Sequence, residues 1–221
     1  MFNDMDGISE LVSLPDEAPH RVVDKIVLST TTANSHIKTA IVCPPTIYGP
    51  GRGPDNQRSA QVYDGANSIL KLKKGFMPGK GKNVWHEVHV QDLSELYLLL
   101  GDAAASGTEK ATWNKQGYYL AENGSFAWGD VFRQMTKLAH KEGLIPSDKC
   151  PGLGASQLNN ISPYGHLKWG TNSRGVSQRA KNLLGWKPVH RGLMEELPDI
   201  VEGEAKALGL IQGHAAKVTQ E

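Results

Sequence analysis

Ala40-Ile41-Val42-Cys43-Pro44-Pro45-Thr46-Ile47-Tyr48-Gly49-Pro50-Gly51 is the stretch on which the fold turns. The apolar run from Ile37 to Cys43 is short and rich in β-formers, and two prolines follow it at once. That pattern predicts a buried strand ending at the edge of a sheet. Just upstream, Pro15-Asp16-Glu17-Ala18-Pro19 supplies acidic residues and prolines, and Val22, Val23, Ile26 and Val27 then recur at helical spacing. This predicts a helix from about Pro19 to Thr31. A helix leading into a buried strand is an α/β signature.

Working outward, the Gly/Pro-dense loop from Tyr48 to Pro54 gives way to a helical pattern from Arg58 to Lys73, through Val62, Ala66, Ile69 and Leu70. Gly75 to Gly81 reads as turns and Val84 to Val90 as a strand. Asp92 stands where a helix N-cap belongs, because its carboxylate can accept first-turn N–H groups; that helix should run to about Ala105. Tyr118 to Ala121 reads as a short strand, and Ser125 precedes a helix with Trp128, Val131, Phe132, Met135 and Leu138 on one broad apolar face. Residues Leu144 to Thr171, rich in Pro, Gly, Ser and Asn, read as a long surface excursion. Two helices close the chain, Ser177 to Leu184 and Leu193 to Leu208, with Pro198 kinking the second or marking its start. A frayed tail, 212–221, follows.

The formal charge is +1, from 24 basic and 23 acidic residues interspersed along 221. Such a balance offers no footprint for nucleic acid or an acidic membrane. Two cysteines make no disulfide framework, no window reaches membrane-spanning length, and the first residues lack the features of a secretory signal. These observations predict a cytoplasmic protein. The glycines form no pyrophosphate cradle: Gly49, Gly51 and Gly53 alternate with prolines that lack the required N–H, Gly79 and Gly81 open no helix, and Gly152 and Gly154 follow no strand pattern. The Walker pattern is absent too.

Residues Ala40 to Gly51 resemble the strand and loop that follow the catalytic helix in extended short-chain dehydrogenases/reductases, the family of NAD-dependent epimerases and dehydratases. His89-Val90-Gln91-Asp92-Leu93 resembles the family's His-Val-x-Asp motif, and Ser177 to Pro188 its closing Ser-x-x-Ala-x-x-x-Leu-Gly-Trp-x-Pro pattern. The resemblance implies an α/β fold, the C-terminal part of a Rossmann-type NAD(P)-binding fold with a smaller substrate-binding lobe. Residues 1–50 would be the remaining Rossmann elements and 51–211 the substrate lobe with interleaved Rossmann elements. The glycine-rich half would lie outside the sequence, so the chain is expected to be truncated and inactive alone.

The same resemblance implies the site. Lys25 would hold the nicotinamide ribose of NAD or NADP, and Pro44, Thr46 and Ile47 would line the nicotinamide side of a cleft. Four positions before Lys25, where the family has its acid/base tyrosine, stands Arg21. A guanidinium stays protonated at any working pH and cannot exchange that proton, though it can polarise a carbonyl or hold an anion. His20 is titratable, but one helical position turns it about 100° from the tyrosine's direction. Asn56, Trp85, His89 and Arg174 are the expected substrate contacts; Gln57, Arg58, His86, Tyr164, Lys168 and Trp169 are weaker ones. His86 and His89 lack metal-ligand spacing, since residues three apart on a strand face opposite ways, so no metal is expected. Two functions compete: an NAD(P)-dependent oxidoreductase or epimerase acting on a small hydroxy or carbonyl substrate, and a ligand-binding or regulatory member of the fold that has lost its acid/base tyrosine. The resemblance leaves room for a homo-oligomer.

Overall fold

The structure, a computed structural model, describes residues 1–34 and 36–212; the expected tail from 213 on lies outside the described residues. Along the chain run β1 (Phe2–Asn3), α1 (Ile8–Val12), α2 (Arg21–Ala33), β2 (Ile41–Cys43), β3 (Thr46–Tyr48), α3 (Gln61–Leu72), β4 (Met77–Pro78) and β5 (Val84–His89). There follow α4 (Val90–Ser106), β6 (Tyr118–Leu120), β7 (Ser125–Ala127), α5 (Trp128–Lys141), β8 (Gly152–Leu153), α6 (Ala155–Ile161), α7 (Gly165–Trp169), β9 (Gly175–Val176), α8 (Arg179–Leu184) and α9 (Leu193–Ala207). The chain forms two compact units. Unit 1 comprises Met1–Pro45, His86–Gly124 and Arg174–His190; unit 2 comprises Thr46–Trp85, Ser125–Ser173 and the described residues from Arg191 on. Residues 1–45 of the expected first span lie in unit 1 and 46–50 in unit 2, while 51–211 alternate between the two.

Unit 1 holds two parallel strand pairs, β1 with β9 and β2 with β6, the latter in the register Ile41↔Tyr118, Val42↔Tyr119 and Cys43↔Leu120. Parallel neighbours need crossover connections, which the intervening helices and loops supply. Ile8, Leu11, Tyr118 and Leu120 form one buried cluster, with Phe2, Val12, Ile41 and Cys43 packed on it. The opening of the chain, irregular by sequence, is thus ordered by α1, whose two buried residues are Ile8 and Leu11.

In α2 the helix stands as expected but its orientation is reversed. Val22, Val23 and Ile26 are 67%, 58% and 64% exposed, whereas Arg21 and Asp24 are buried. The Val/Ile spacing revealed a helix; it did not reveal which side is covered. The expected Asp92 cap is also corrected. Helix α4 begins at Val90, so the cap residue is His89, whose Nδ1 accepts the Gln91 N–H at 3.2 Å. Asp92 sits inside the first turn, where a carboxylate still suits the helix dipole. The helix expected just after Ser125 is preceded by β7 and starts at Trp128.

Unit 2 is built on α3, α5 and α9, which pack pairwise on one another. Their shared core includes Val62, Ile69, Trp128, Phe132, Met135, Leu197 and Val201. Phe132 packs against Phe76 at 4.9 Å and edge-on against Trp169 at 5.3 Å, as aromatic quadrupoles favour. Gly129, at the start of α5, lies so close to Gly81 that a Cβ there would sit 2.6 Å from the Gly81 Cα, and Gly81 itself has φ +72°. A side chain at either position would push the backbones apart. Pro198 lies inside α9, which starts five residues earlier at Leu193.

The segment read as a surface excursion proves partly internal. It contributes β8, paired in parallel with β4, and both α6 and α7. Leu158 is 1% exposed and Trp169 wholly buried, its Nε1–H donating to the Gln61 carbonyl at 3.0 Å. Helices of 7 and 5 residues are too short to hold alone, so burial of these side chains holds them. Trp169→Ala should therefore lower the unfolding free energy by about 3–5 kcal/mol, read by urea denaturation; a change within about 0.5 kcal/mol would restore the surface reading.

Candidate functional site

In unit 1, α2 carries the expected catalytic pair. Its preceding residue, His20, has φ +64° and makes no side-chain cap. The Arg21 guanidinium is buried and its NH2 group donates to the Val12 carbonyl at 2.7 Å, at the end of α1. Its Nε and NH1 groups, both shut from solvent, have no hydrogen-bond partner among the described residues. Lys25, one turn on, is half exposed and pairs with the still more exposed Asp16 at 2.5 Å. Such a pair is weak and readily exchanged. Arg21 and Lys25 therefore stand in different environments, one enclosed and one wet.

Beside Arg21 on the covered side of α2, Asp24 accepts the Tyr118 hydroxyl at 3.4 Å. Burial pushes the Asp24 carboxyl above its ordinary range, opposed by the Tyr118 hydrogen bond and the Arg21 charge. Burial likewise drives up the Tyr118 phenol and the Cys43 thiol. Pro44, next after β2, is half-buried.

The second motif of unit 1 has a structural task. Asp92 accepts the backbone N–H groups of Val189 at 3.0 Å and His190 at 3.2 Å, and meets His190 Nδ1 at 2.8 Å. The His190 ring stacks on His89 at 4.3 Å, and the Trp186 indole N–H donates to the Asp92 carbonyl at 2.8 Å. His-Val-x-Asp and Gly-Trp-x-Pro, whose Asp92 and Trp186 are 94 residues apart in sequence, thus form one clamp. His89, Asp92 and His190 also place ligand-type atoms within 4.8 Å of one another. Both Asp92 oxygens are already engaged and the two rings lie face to face, whereas imidazoles sharing a metal must aim in-plane lone pairs at it. His86, expected on the other side of the strand, lies 3.6 Å from Glu122, which also accepts the Ser177 N–H at 2.9 Å. Arg174 is exposed, and its carbonyl accepts the Phe2 N–H at 3.2 Å.

In unit 2, Thr46 is wholly buried and its hydroxyl has no partner among the described residues, while Ile47 is half-buried. Asn56 spends its side-chain oxygen on the Arg58 N–H at 3.0 Å, a local turn rather than an aimed ligand group. Trp85 lies edge-on to Trp128 at 6.3 Å and donates to the Thr171 carbonyl at 2.8 Å. Arg58 pairs with Asp64 and Glu204, Lys168 with Asp64, and Tyr164 is largely exposed. An open cavity of about 570 Å³ is lined by both polar and apolar side chains, among them Asp64, Lys71, Leu72, Ile161 and Lys168. Only Lys168 of these was singled out by sequence; the rest look like an ordinary helix surface until folded. Asp4, Glu122 and His190 were missed as well, because isolated polar residues carry no spacing signal.

Residues 18–114 match the NAD dependent epimerase/dehydratase family. An oxidase of Acremonium sp, oxidase ucsJ, is 32% identical over 218 residues, covering 95% of this chain and 63% of that protein. Among solved structures, a UDP-glucose 4-epimerase of Thermotoga maritima superimposes with TM-score 0.55 and 18% identity over 85% of this chain and 52% of its own. A dTDP-glucose 4,6-dehydratase of Bacillus anthracis, solved with NAD, gives TM-score 0.57 and 17% identity over 87% and 54%. The fold is the Rossmann-type α/β fold of these enzymes, and the chain spans between half and two thirds of their length. No helix among the described residues is long and apolar enough to cross a membrane.

The Asp24 shift has a testable sign. A folded pKa raised above the ordinary 3.8 means that the native state binds the proton more tightly. The linked stability is full below that value and is lost as pH rises through the raised one. Asp24→Asn keeps the acceptor for Tyr118 and removes the loss. The variant should gain stability relative to the parent as pH rises above about 4, measured by urea unfolding at each pH; parallel curves would show that Asp24 is not shifted.

Proposed function

We propose that this chain, similar over residues 18–114 to NAD-dependent epimerases and dehydratases, is the nicotinamide- and substrate-facing part of an NAD(P)-dependent oxidoreductase acting on a small hydroxy or carbonyl compound. The observation that carries the reading is the 32% identity with an oxidase over nearly the whole chain. What the chain's own residues can do fits it. Lys25 holds only an exposed ion pair and can turn to a ribose hydroxyl at little cost. Pro44, half-buried just after β2, offers apolar surface for a nicotinamide ring. When bound, the nicotinamide accepts or supplies hydride, and the protein's part is to position it.

A second reading, a ligand-binding or regulatory protein on the same fold, is favoured by Arg21, which cannot exchange a proton as the tyrosine does. The readings separate by turnover, since both keep ligand binding. A soluble protein confined to the cell's reducing compartment, as two free thiols favour, fits either.

Saturation-transfer NMR with NADH and with NADPH tests the site. The nicotinamide-ring protons of at least one cofactor should receive saturation from the protein, and Lys25→Ala should weaken that binding roughly tenfold, about 1.4 kcal/mol. Absence of saturation at the ring protons of both cofactors would sink the assignment; an unchanged affinity in the variant would remove Lys25 from it.

A further inference from the structure

We infer that Arg21 is the receptor for an oxyanion, so that the small substrate carries a carboxylate; the substrate's part in this rests on the oxidoreductase reading above. Arg21 occupies the position at which the family's motif has its tyrosine, and the guanidinium is permanently charged with five N–H donors in a fixed fork. It is 7% exposed, and among the described residues its guanidinium makes one hydrogen bond, to the Val12 carbonyl. Its Nε and NH1 groups are enclosed and unpartnered. A buried cation with unsatisfied donors is costly, and proteins keep such groups where a ligand completes them.

Two carboxyls feel its charge, and neither supplies the missing acceptor. Asp16 bonds Lys25, and Asp24 bonds Tyr118. The donors also lie at the start of a 13-residue helix whose first turn has no side-chain cap, so the positive end of the dipole adds to the guanidinium. A planar oxyanion answers both features, and a carboxylate fits the arginine fork by shape as well as charge. Because the two nitrogens are covered, the anion must displace part of that cover, which makes binding selective for a group strong enough to do so.

The test is NMR of the arginine Nε–H groups in the 221-residue chain, titrated with sodium acetate and separately with inorganic phosphate. The Arg21 signal, identified by its loss in Arg21→Lys, should shift saturably with acetate while those of Arg58 and Arg179 stay still. Arg21→Gln should weaken acetate binding, followed by calorimetry, at least tenfold, with circular dichroism confirming the fold. Phosphate binding more than roughly tenfold tighter than acetate would overturn the carboxylate and leave a phosphate carrier. No saturable shift with either anion would overturn the receptor altogether, and it needs no variant to fold. The cofactor titration is independent: anion binding without cofactor binding would sink the oxidoreductase reading alone, and cofactor binding without anion binding would sink the receptor alone.

Discussion

The carboxylate of Asp4, wholly buried, accepts three backbone N–H groups: Leu120 in β6 at 2.9 Å, and Gln178 and Arg179 at the start of α8 at 2.8 and 2.9 Å. Its own carbonyl accepts the Arg179 Nε–H at 2.7 Å, and Arg179 reaches on to the Thr112 hydroxyl at 2.8 Å. The β1–β9 pairing is two residues long, too little to fix its own place. Asp4 supplies what the ladder cannot, because a buried carboxylate stripped of any one donor bears the desolvation penalty alone. With β6 so held, β2 has a fixed neighbour, and Tyr118 on β6 is set to meet Asp24 of α2. The surroundings of the candidate catalytic helix thus trace back to one carboxylate.

How much of this was legible depended on what each residue's signal encodes. An apolar run closed by Pro44-Pro45 has few alternatives to a strand end, and β2 ends there; but it spans only Ile41–Cys43 and is half-buried, where a buried strand from Ile37 was expected. The three motifs were legible as a family pattern, and the structure supplies the reason for two of them: Asp92 and Trp186 form a single clamp, so the two stretches matter to each other. Asp92 was misassigned because a carboxylate near a helix start serves equally well as a cap or as an acceptor for another strand of chain, and only the fold brings Val189 and His190 to it. Spacing found α2 but not its facing. Periodicity counts apolar residues and assumes they point inward, whereas here Arg21 and Asp24 do. The stretch 144–171 failed for the opposite reason: a few large side chains, Leu158 and Trp169, decide its burial, and composition averages them away among Gly, Ser and Asn.

The electrostatics around α2 then constrain the chemistry. Three ionisable side chains on the covered side, Asp24, Tyr118 and Cys43, are each driven by burial toward the neutral form. Neutral neighbours screen a charge poorly, and the enclosed surroundings lack the water that would do so. The fixed positive charge of Arg21 is therefore offset only in part, through an aspartate that the same burial disfavours in its charged state. A tyrosine at this position would be neutral and would ask nothing of its surroundings in the absence of substrate. An arginine asks for an anion throughout, and the unit spends its nearest carboxyls on Lys25 and Tyr118 instead. That distribution makes sense if the complementary charge arrives from outside: a monoanion would satisfy the two open nitrogens and neutralise the enclosed guanidinium, leaving Asp24 protonated as its burial favours.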